Sequence, residues 1–382
     1  MKRVVQRELG RIWHKPRYLI ILTLGIAFSF VFFATLMDEG QPQKLPVAVV
    51  DRDHSYLSRR LCHELEATQG VTIRAVYDNH REARLAMQRG DIYAFYEIPK
   101  GTYNELLQFH APHFALYTNN AYLMAGALSY RQMATLGKLA AGGVQREVLR
   151  KKGHTDDDIM GQIQPIVLET HAVGNTKASY RIYVMTVLIP GIIILIAMMH
   201  TAYVIGRERQ EKTVRQWMKK AGNDALKAMW GKALPYTLYY TAIMMIANFI
   251  MYGPMRFPME GSWLLLSLNA MLAIVAAQSA AIFLMGCVPD PSVAMSLTSA
   301  YATLSFTMCG FSFPVDAMPL PMHVFSLMFP LRHYFLAMSD IAFYGNGFGS
   351  TWPCTATLVG FGLLSLVGAA MFNRQYERGV AQ

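Results

Sequence analysis

The sequence predicts a polytopic α-helical membrane protein: six transmembrane helices, with an extracytoplasmic α/β domain inserted after the first. Three observations carry that expectation. Hydrophobic residues make up 53% of the chain and charged residues 16%, against about a quarter charged in soluble domains. The apolar residues gather into runs of roughly 20, the length that crosses an about 30 Å hydrocarbon core at about 1.5 Å per residue. Between the first two runs lies a long stretch patterned like a folded, water-soluble domain. The modest mean hydropathy of +0.23 suits that mixture.

Residues 1–17 read as a cytoplasmic amphipathic helix. Val5, Leu9, Ile12 and Trp13 share one face, Arg3, Arg7 and Arg11 the opposite one, and Pro16 closes it. Such a helix lies on anionic headgroups, making membrane lipids its partner. The first span, 18–37, is too long for a signal peptide and lacks a cleavage site, so it is an uncleaved anchor.

Residues 38–182 form the inserted domain. Val47–Val50 is an apolar strand, and Leu57, Leu61 and Leu65 recur at helical spacing. "VTIRAVY" reads as a strand, "NHREARLAMQRG" as a helix closed by Gly90, and "DIYAFYEIP" and "HFALYTN" as two more strands. That alternation implies a partly parallel sheet. A long helix follows over Ala121–Lys152, where Gly142-Gly143 is a candidate kink. Five further spans occupy 183–372: Tyr183–Ile205, bent at Pro190, then Leu234–Tyr252, Trp263–Cys287, Val293–Phe313 and Trp352–Phe372. Residues 314–344 are apolar but broken by Pro314, Pro319, Pro321 and Pro330, and predict a re-entrant pair of short helices in the outer leaflet. Residues 373–382 are a cytoplasmic tail.

The net charge of +10 is a topology signal rather than a nucleic-acid footprint. Lysine and arginine crowd the N-terminal flank, the loop 206–233 and the tail. The short opposite loops, 253–262 and 314–351, hold one each, Arg256 and Arg332. The positive-inside rule then places both termini in the cytoplasm of a multi-pass protein of the cell's inner membrane. No nucleic-acid partner is expected.

Chemistry-bearing motifs are mostly absent. The chain has no phosphate-binding loop, no GxSxG and no HExxH. It therefore has no catalytic residues, no cofactor of its own and no nucleotide-hydrolysing engine. Cys62, Cys287, Cys309 and Cys354 form no CxxC pair. His110 and His113 around Ala111-Pro112 suit a solvated turn better than a metal. Thr155 with Asp158 suits a helix cap, and Asp53, His54 and Ser55 suit turn and cap roles rather than a triad. Arg332 and Asp340 are a candidate ion pair in the broken outer segment.

Polar side chains within spans are costly in lipid. Asn248, Asn269, Gln278, Ser296, Ser299 and Thr303 are candidates for a translocation path. The competing reading is hydrogen bonding between helices.

The loop 206–233 carries the sharpest signal. On a helix over 207–221, Val214, Trp217, Met218 and Ala221 form one apolar stripe. Glu208–Lys212 and Glu211–Arg215 are favourable i,i+4 pairs on the remaining surface. The acidic residues disfavour lipid, so a protein partner is the expected occupant of the stripe.

"GRERQEKTVRQWMKKAG…GKALPY", "LPVAVVDRDHSYLSRRL", "RGDIYAFYEIPKG" and "GFSFPVDAMP…FPLRHYF", in that order along nearly the whole chain, resemble the permease subunits of ABC exporters of the second type. One departure is Val214-Arg215-Gln216, where the family often has Leu-Glu-Gln. The resemblance implies a permease paired with a second copy or a sister permease, driven by a cytoplasmic ABC ATPase subunit that binds the ATP. It also implies an envelope partner such as a periplasmic adaptor, and drug-like, lipid or other amphipathic cargo moved out of the cytoplasm or inner leaflet. Arg207, Glu208, Arg209, Glu211, Val214, Trp217 and Met218 are the implied ATPase-coupling residues. The alternative is a membrane-anchored receptor or envelope-assembly protein without transport activity, for which the cytoplasmic loop is too short to hold an output domain.

Overall fold

The computed structural model describes residues 1–378 apart from 15, 109, 111–112, 164–168, 170, 172 and 177, with only the backbone described at 18, 106, 107 and 157. The chain divides into two compact units, residues 1–38 with 171–382, and residues 39–170. Helix α1 (Lys2–His14) leads into α2 (Arg17–Leu36).

The unit over 39–170 contains β1 (Leu45–Asp51), α3 (Tyr56–Glu66), β2 (Val71–Tyr77), α4 (His80–Gln88), β3 (Ala94–Ile98), α5 (Thr102–Leu107), β4 (Ala115–Thr118), α6 (Leu123–Lys151) and α7 (Asp156–Ile163). Its sheet has the order β2-β1-β3-β4, parallel except for β4. Both faces of β1 are covered, which is why it reads as a continuous apolar run. Successive side chains alternate: Val47 and Val49 join Leu61, Leu65 and Met133 in one core, while Ala48 and Val50 join Ala83, Ala86 and Phe95 in the other.

The turn after β1 is built from its polar residues. The Asp51 carboxylate accepts from the amides of Asp53 and His54, Asp53 accepts from those of Gly101 and Tyr103, and Ser55 caps α3. Thr155 accepts from the Asp158 amide at 3.4 Å while donating to its carboxylate at 2.6 Å, the expected cap. Helix α6 runs unbroken through Gly142-Gly143. The His110–His113 turn includes residues 111 and 112, which lie outside the described residues.

The other unit continues with α8 (Tyr180–Gln210), α9 (Val214–Ala221), α10 (Ala225–Tyr252), α11 (Trp263–Cys287), α12 (Pro291–Thr307), α13 (Leu320–Ser326), α14 (Pro330–Ala342) and α15 (Phe348–Glu377). Five helices among the described residues are long and apolar enough to cross a membrane: α2, α8, α10, α11 and α15. The fifth expected span is shorter than anticipated. Apolar sequence continues to Phe313, but α12 stops at Thr307 and the chain turns through Gly310 at φ +92°. At 17 residues α12 is at the lower limit for crossing.

Helix α11 is central, with α15 as its most extensive neighbour. Their close approach depends on missing side chains. A Cβ on Gly286 would sit 2.0 Å from the Gly368 carbonyl oxygen, and one on Gly368 would sit 2.5 Å from the Phe283 Cα. Without water to drive association, such backbone-to-backbone packing is what holds membrane helices together. By contrast, α2 buries almost none of its apolar surface in this chain.

The broken segment folds as two short helices split at Pro330. Arg332 does not pair with Asp340. Its Nη1 donates to Ser326 Oγ at 2.6 Å and to the His323 carbonyl at 3.4 Å, and His333 meets the Leu327 carbonyl at 3.0 Å. The start of α14 thus satisfies the orphan carbonyls that end α13. Asp340 and Arg332 are two turns apart on one helix, too far for a direct pair.

Candidate functional site

Helices α8, α10 and α15 extend beyond their apolar runs at the end where the basic residues gather. There α8 ends at Gln210, and Lys212, at φ +56°, reverses the chain into α9. Helix α9 closes with Gly222 at φ +76°, where the Asn223 amide donates to the Met218 carbonyl at 2.9 Å. Asp224 then caps α10, accepting from the Lys227 amide at 3.1 Å and meeting Lys227 Nζ at 2.9 Å. These contacts with Lys227 hold the Asp224 carboxyl below its usual range.

This geometry corrects the expectation of one helix over 207–221. Glu208 does not pair with Lys212. It is fully buried and accepts Lys232 Nζ at 2.9 Å, Arg7 at 3.2 Å, and Arg11 and Thr213 as well. Lys232, also buried, donates to the Val204 carbonyl at 2.8 Å and lies 3.5 Å from Glu8. Tyr236 donates to Glu8 at 3.0 Å. Glu211 pairs with Arg207 at 2.6 Å and faces Arg11 at 3.8 Å. Arg7 and Arg11 of α1, on the face expected at lipid headgroups, are therefore turned onto the bundle, while Arg3, Leu9 and Trp13 are exposed. Burying charge is tolerable only when it is paired, and Glu208 is the shared partner of three cations drawn from α1 and α10.

Arg209 closes the other side. Its Nη1 donates to the Val288 and Pro289 carbonyls at 2.6 and 2.8 Å, its Nη2 to Gln375 at 3.0 Å, and the guanidinium stacks on Phe372. A cation at the C-terminal end of α11 satisfies carbonyls that have no partner within the helix.

The apolar stripe is correct in its members and wrong in its occupant. Val214, Trp217 and Met218 are fully buried within this chain. Trp217 Nε1 donates to the Ala228 carbonyl at 3.2 Å, and its ring packs edge-on to Phe372. The stripe is covered by α10 and α15, so it presents nothing to a separate protein. What α9 turns outward is Arg215, Gln216, Lys219 and Lys220, with Lys212 before it. The sequence did carry a signal for this: a short helix joined to a membrane helix at each end has its own bundle as the nearest cover for an apolar stripe.

The polar residues within the spans separate into three groups. Asn269 accepts from Thr355 at 2.9 Å and Gln278 accepts from Thr237 at 2.6 Å, so both tie helices together. Asn248 is buried facing Tyr334, and neither side chain completes a hydrogen bond among the described residues. Ser296 and Thr303 bond back to their own helix at 3.0 Å and are exposed along α12, with Ser299 half-buried beside them. Among the described residues no three His, Cys, Asp or Glu side chains converge as metal ligands.

A family model for the ABC-2 family transporter protein matches residues 17–371. The chain belongs to the ABC-2 transporter family. Permeases of this kind are transport subunits rather than ATPases, and membership implies association with an ABC ATPase and, usually, dimerisation. The ABC-2 chain is 24% identical over 349 residues to the "Inner membrane transport permease YhhJ" of Escherichia coli (strain K12), covering 90% of this chain and 89% of the relative. The protein of the same name from Shigella flexneri matches equally.

Proposed function

We propose that the chain is the permease subunit of an ATP-driven exporter of the inner membrane, working as a pair of permeases with two cytoplasmic ATPase subunits. The observation that carries this is the α9 segment. Trp217 fixes it to α10 and α15, Thr213 at its start bonds Glu208 of α8, and its outer face is a row of basic and amide side chains. Such a rigid protrusion transmits a push. The basic face meets an acidic groove on the ATPase, and Glu208 and Arg209 pass the displacement to α1, α10, α11 and α15. Arg207 and Glu211 sit beside that face; Val214, Trp217 and Met218 hold the protrusion rigid from within.

In this reading α12 also crosses, as the fifth of six spans, both termini are cytoplasmic, and residues 39–170 lie outside. The helices α13 and α14 enter the outer leaflet without crossing, as their lengths of 7 and 13 residues suit. Cargo is amphipathic, drug-like or lipid. It passes between two permeases along surfaces that one chain leaves uncovered, among them the Ser296, Ser299 and Thr303 side of α12. Asn269 and Gln278 hold helices together instead.

The decisive experiment is purification from the native membrane with identification of what accompanies the chain. An ABC ATPase should co-purify, and the chain stripped of it should hydrolyse no ATP. Turnover by the isolated chain would refute the assignment. Orientation is tested separately with a membrane-impermeant thiol reagent. Cys62 is a poor probe, because burial and the nearby Asp51 push its thiol up to about 11. In a Cys62→Ser background, Arg84→Cys on the exposed side of α4 should label in intact cells and Lys219→Cys should not. Labelling at 219 would invert the topology.

A further inference from the structure

A cavity of about 520 Å³ opens beside the Glu208 cluster, between α1, the start of α2, and the ends of α8 and α10. Its volume lies within the about 300–1,000 Å³ of small-molecule sites. Lys232, Glu8 and Val204 form a buried floor, and exposed His14 and Glu211 mark the rim. One wall is cationic, from Arg7 and Arg11. Another is apolar and aromatic, from Ile12, Leu19 and Tyr203.

Among the described residues the charges around it do not balance. The cations Arg7, Arg11, Arg207 and Lys232 face the carboxylates Glu8, Glu208 and Glu211, four against three. Arg7 Nη1 is buried with no hydrogen-bond acceptor among the described residues. A desolvated guanidinium donor is costly to leave unmet, so one more anion is called for. The cavity also has a definite depth. Helix α1, its wall, exposes Leu9 and Trp13, and the first span begins directly after it. An exposed leucine and tryptophan on such a helix place it at the level of lipid headgroups.

We propose that this cavity holds the phosphate of one anionic phospholipid per chain, with Arg7 and Arg11 on the phosphate and Ile12, Leu19 and Tyr203 against the first part of the acyl chains. Basic pockets between membrane helices select such headgroups. The site lies within one chain, apart from the surfaces between permeases proposed for cargo. It depends on the functional reading above only for which leaflet supplies the lipid.

The test is native mass spectrometry of the full chain, delipidated in detergent and given phosphatidylglycerol, phosphatidylcholine or inorganic phosphate. One phosphatidylglycerol per chain should be retained, about tenfold or more over phosphatidylcholine. Arg7→Gln should abolish that preference. Because Arg7 also holds Glu208, Gly10→Leu is the second variant. A Cβ at Gly10 meets nothing within 4 Å, so the helix tolerates it while the side chain fills the cavity. Gly10→Leu should lose the lipid and keep the wild-type melting temperature. Equal retention of the two lipids, or unchanged phosphatidylglycerol in Gly10→Leu, would overturn the proposal. Inorganic phosphate displacing the lipid at equal concentration would make the ligand a free anion instead. Gly10→Leu retaining lipid but losing ATPase would give the cavity to the protein partner.

Discussion

Glu208→Gln should lower the melting temperature of the purified protein more than any other single change in the charged cluster, and should free α1 for proteolysis. Glu208 is fully buried, and Arg7, Arg11 and Lys232 all converge on it. Neutralising it leaves Lys232 with Glu8, and Arg11 with Glu8 and the half-exposed Glu211, each at 3.5–3.8 Å, and takes from Arg7 its carboxylate. Removing one partner of a buried ion pair costs about 3–5 kcal/mol, because the remaining charge stays desolvated. Lys232→Met is the informative comparison. It leaves Arg7 and Arg11 facing Glu8 and Glu208, two against two, and fills the vacated space with an apolar chain. Its effect should be distinctly smaller. Thermal unfolding in detergent gives the order, and limited trypsin digestion within α1 reports its release. Equal effects would mean that Lys232, not Glu208, is the centre.

Trp217→Ala should destabilise the bundle by about 3–5 kcal/mol, the usual range for truncating a fully buried large aromatic. The indole fills space among α9, α10 and α15, bonds the Ala228 carbonyl and lies 5.5 Å from Lys232 Nζ. Its loss leaves a cavity at the junction that fixes α9. Any loss of ATPase binding should follow loss of stability and recover when folding is rescued, for example at lower temperature. Gln216→Ala, at an exposed position on the same helix, should leave the melting temperature unchanged. A Trp217→Ala protein of wild-type stability that no longer binds the ATPase would place the indole at the partner interface after all.

The strands and helices of the unit over 39–170 were legible because their signals are local. Strands β1 to β4 alternate or run apolar over a few residues, and Ser55, Asp53 and Thr155 make their contacts within a turn or at the neighbouring strand end. The apolar runs likewise announced the membrane helices. Three features were not legible, each for a physical reason. Periodicity shows that the Val214–Ala221 stripe is covered, but not by what. Charge spacing suggests i,i+4 neighbours, whereas the partners of Glu208 lie about two hundred residues away on α1 or on the next membrane helix. Hydropathy marks where lipid is tolerable, not where a helix stops, so α12 ended at the turn before Gly310 while the apolar sequence ran on. Of the expected coupling residues, those on the apolar face act inside the chain. The outward set, Arg215 with Lys219 and Lys220, came to light only once the direction of α9 was fixed.

That outward set is the proposed docking face for the ATPase. Reversing Lys219 and Lys220 to glutamate, in an otherwise wild-type chain expressed with its ATPase, tests it directly. Like charges forced together at an interface cost several kcal/mol, whereas exposed charges contribute about 0–1 kcal/mol to the fold. The double variant should keep the wild-type melting temperature and recover at least about tenfold less ATPase in a detergent pull-down. Recovery equal to wild type would contradict docking through the basic face of α9.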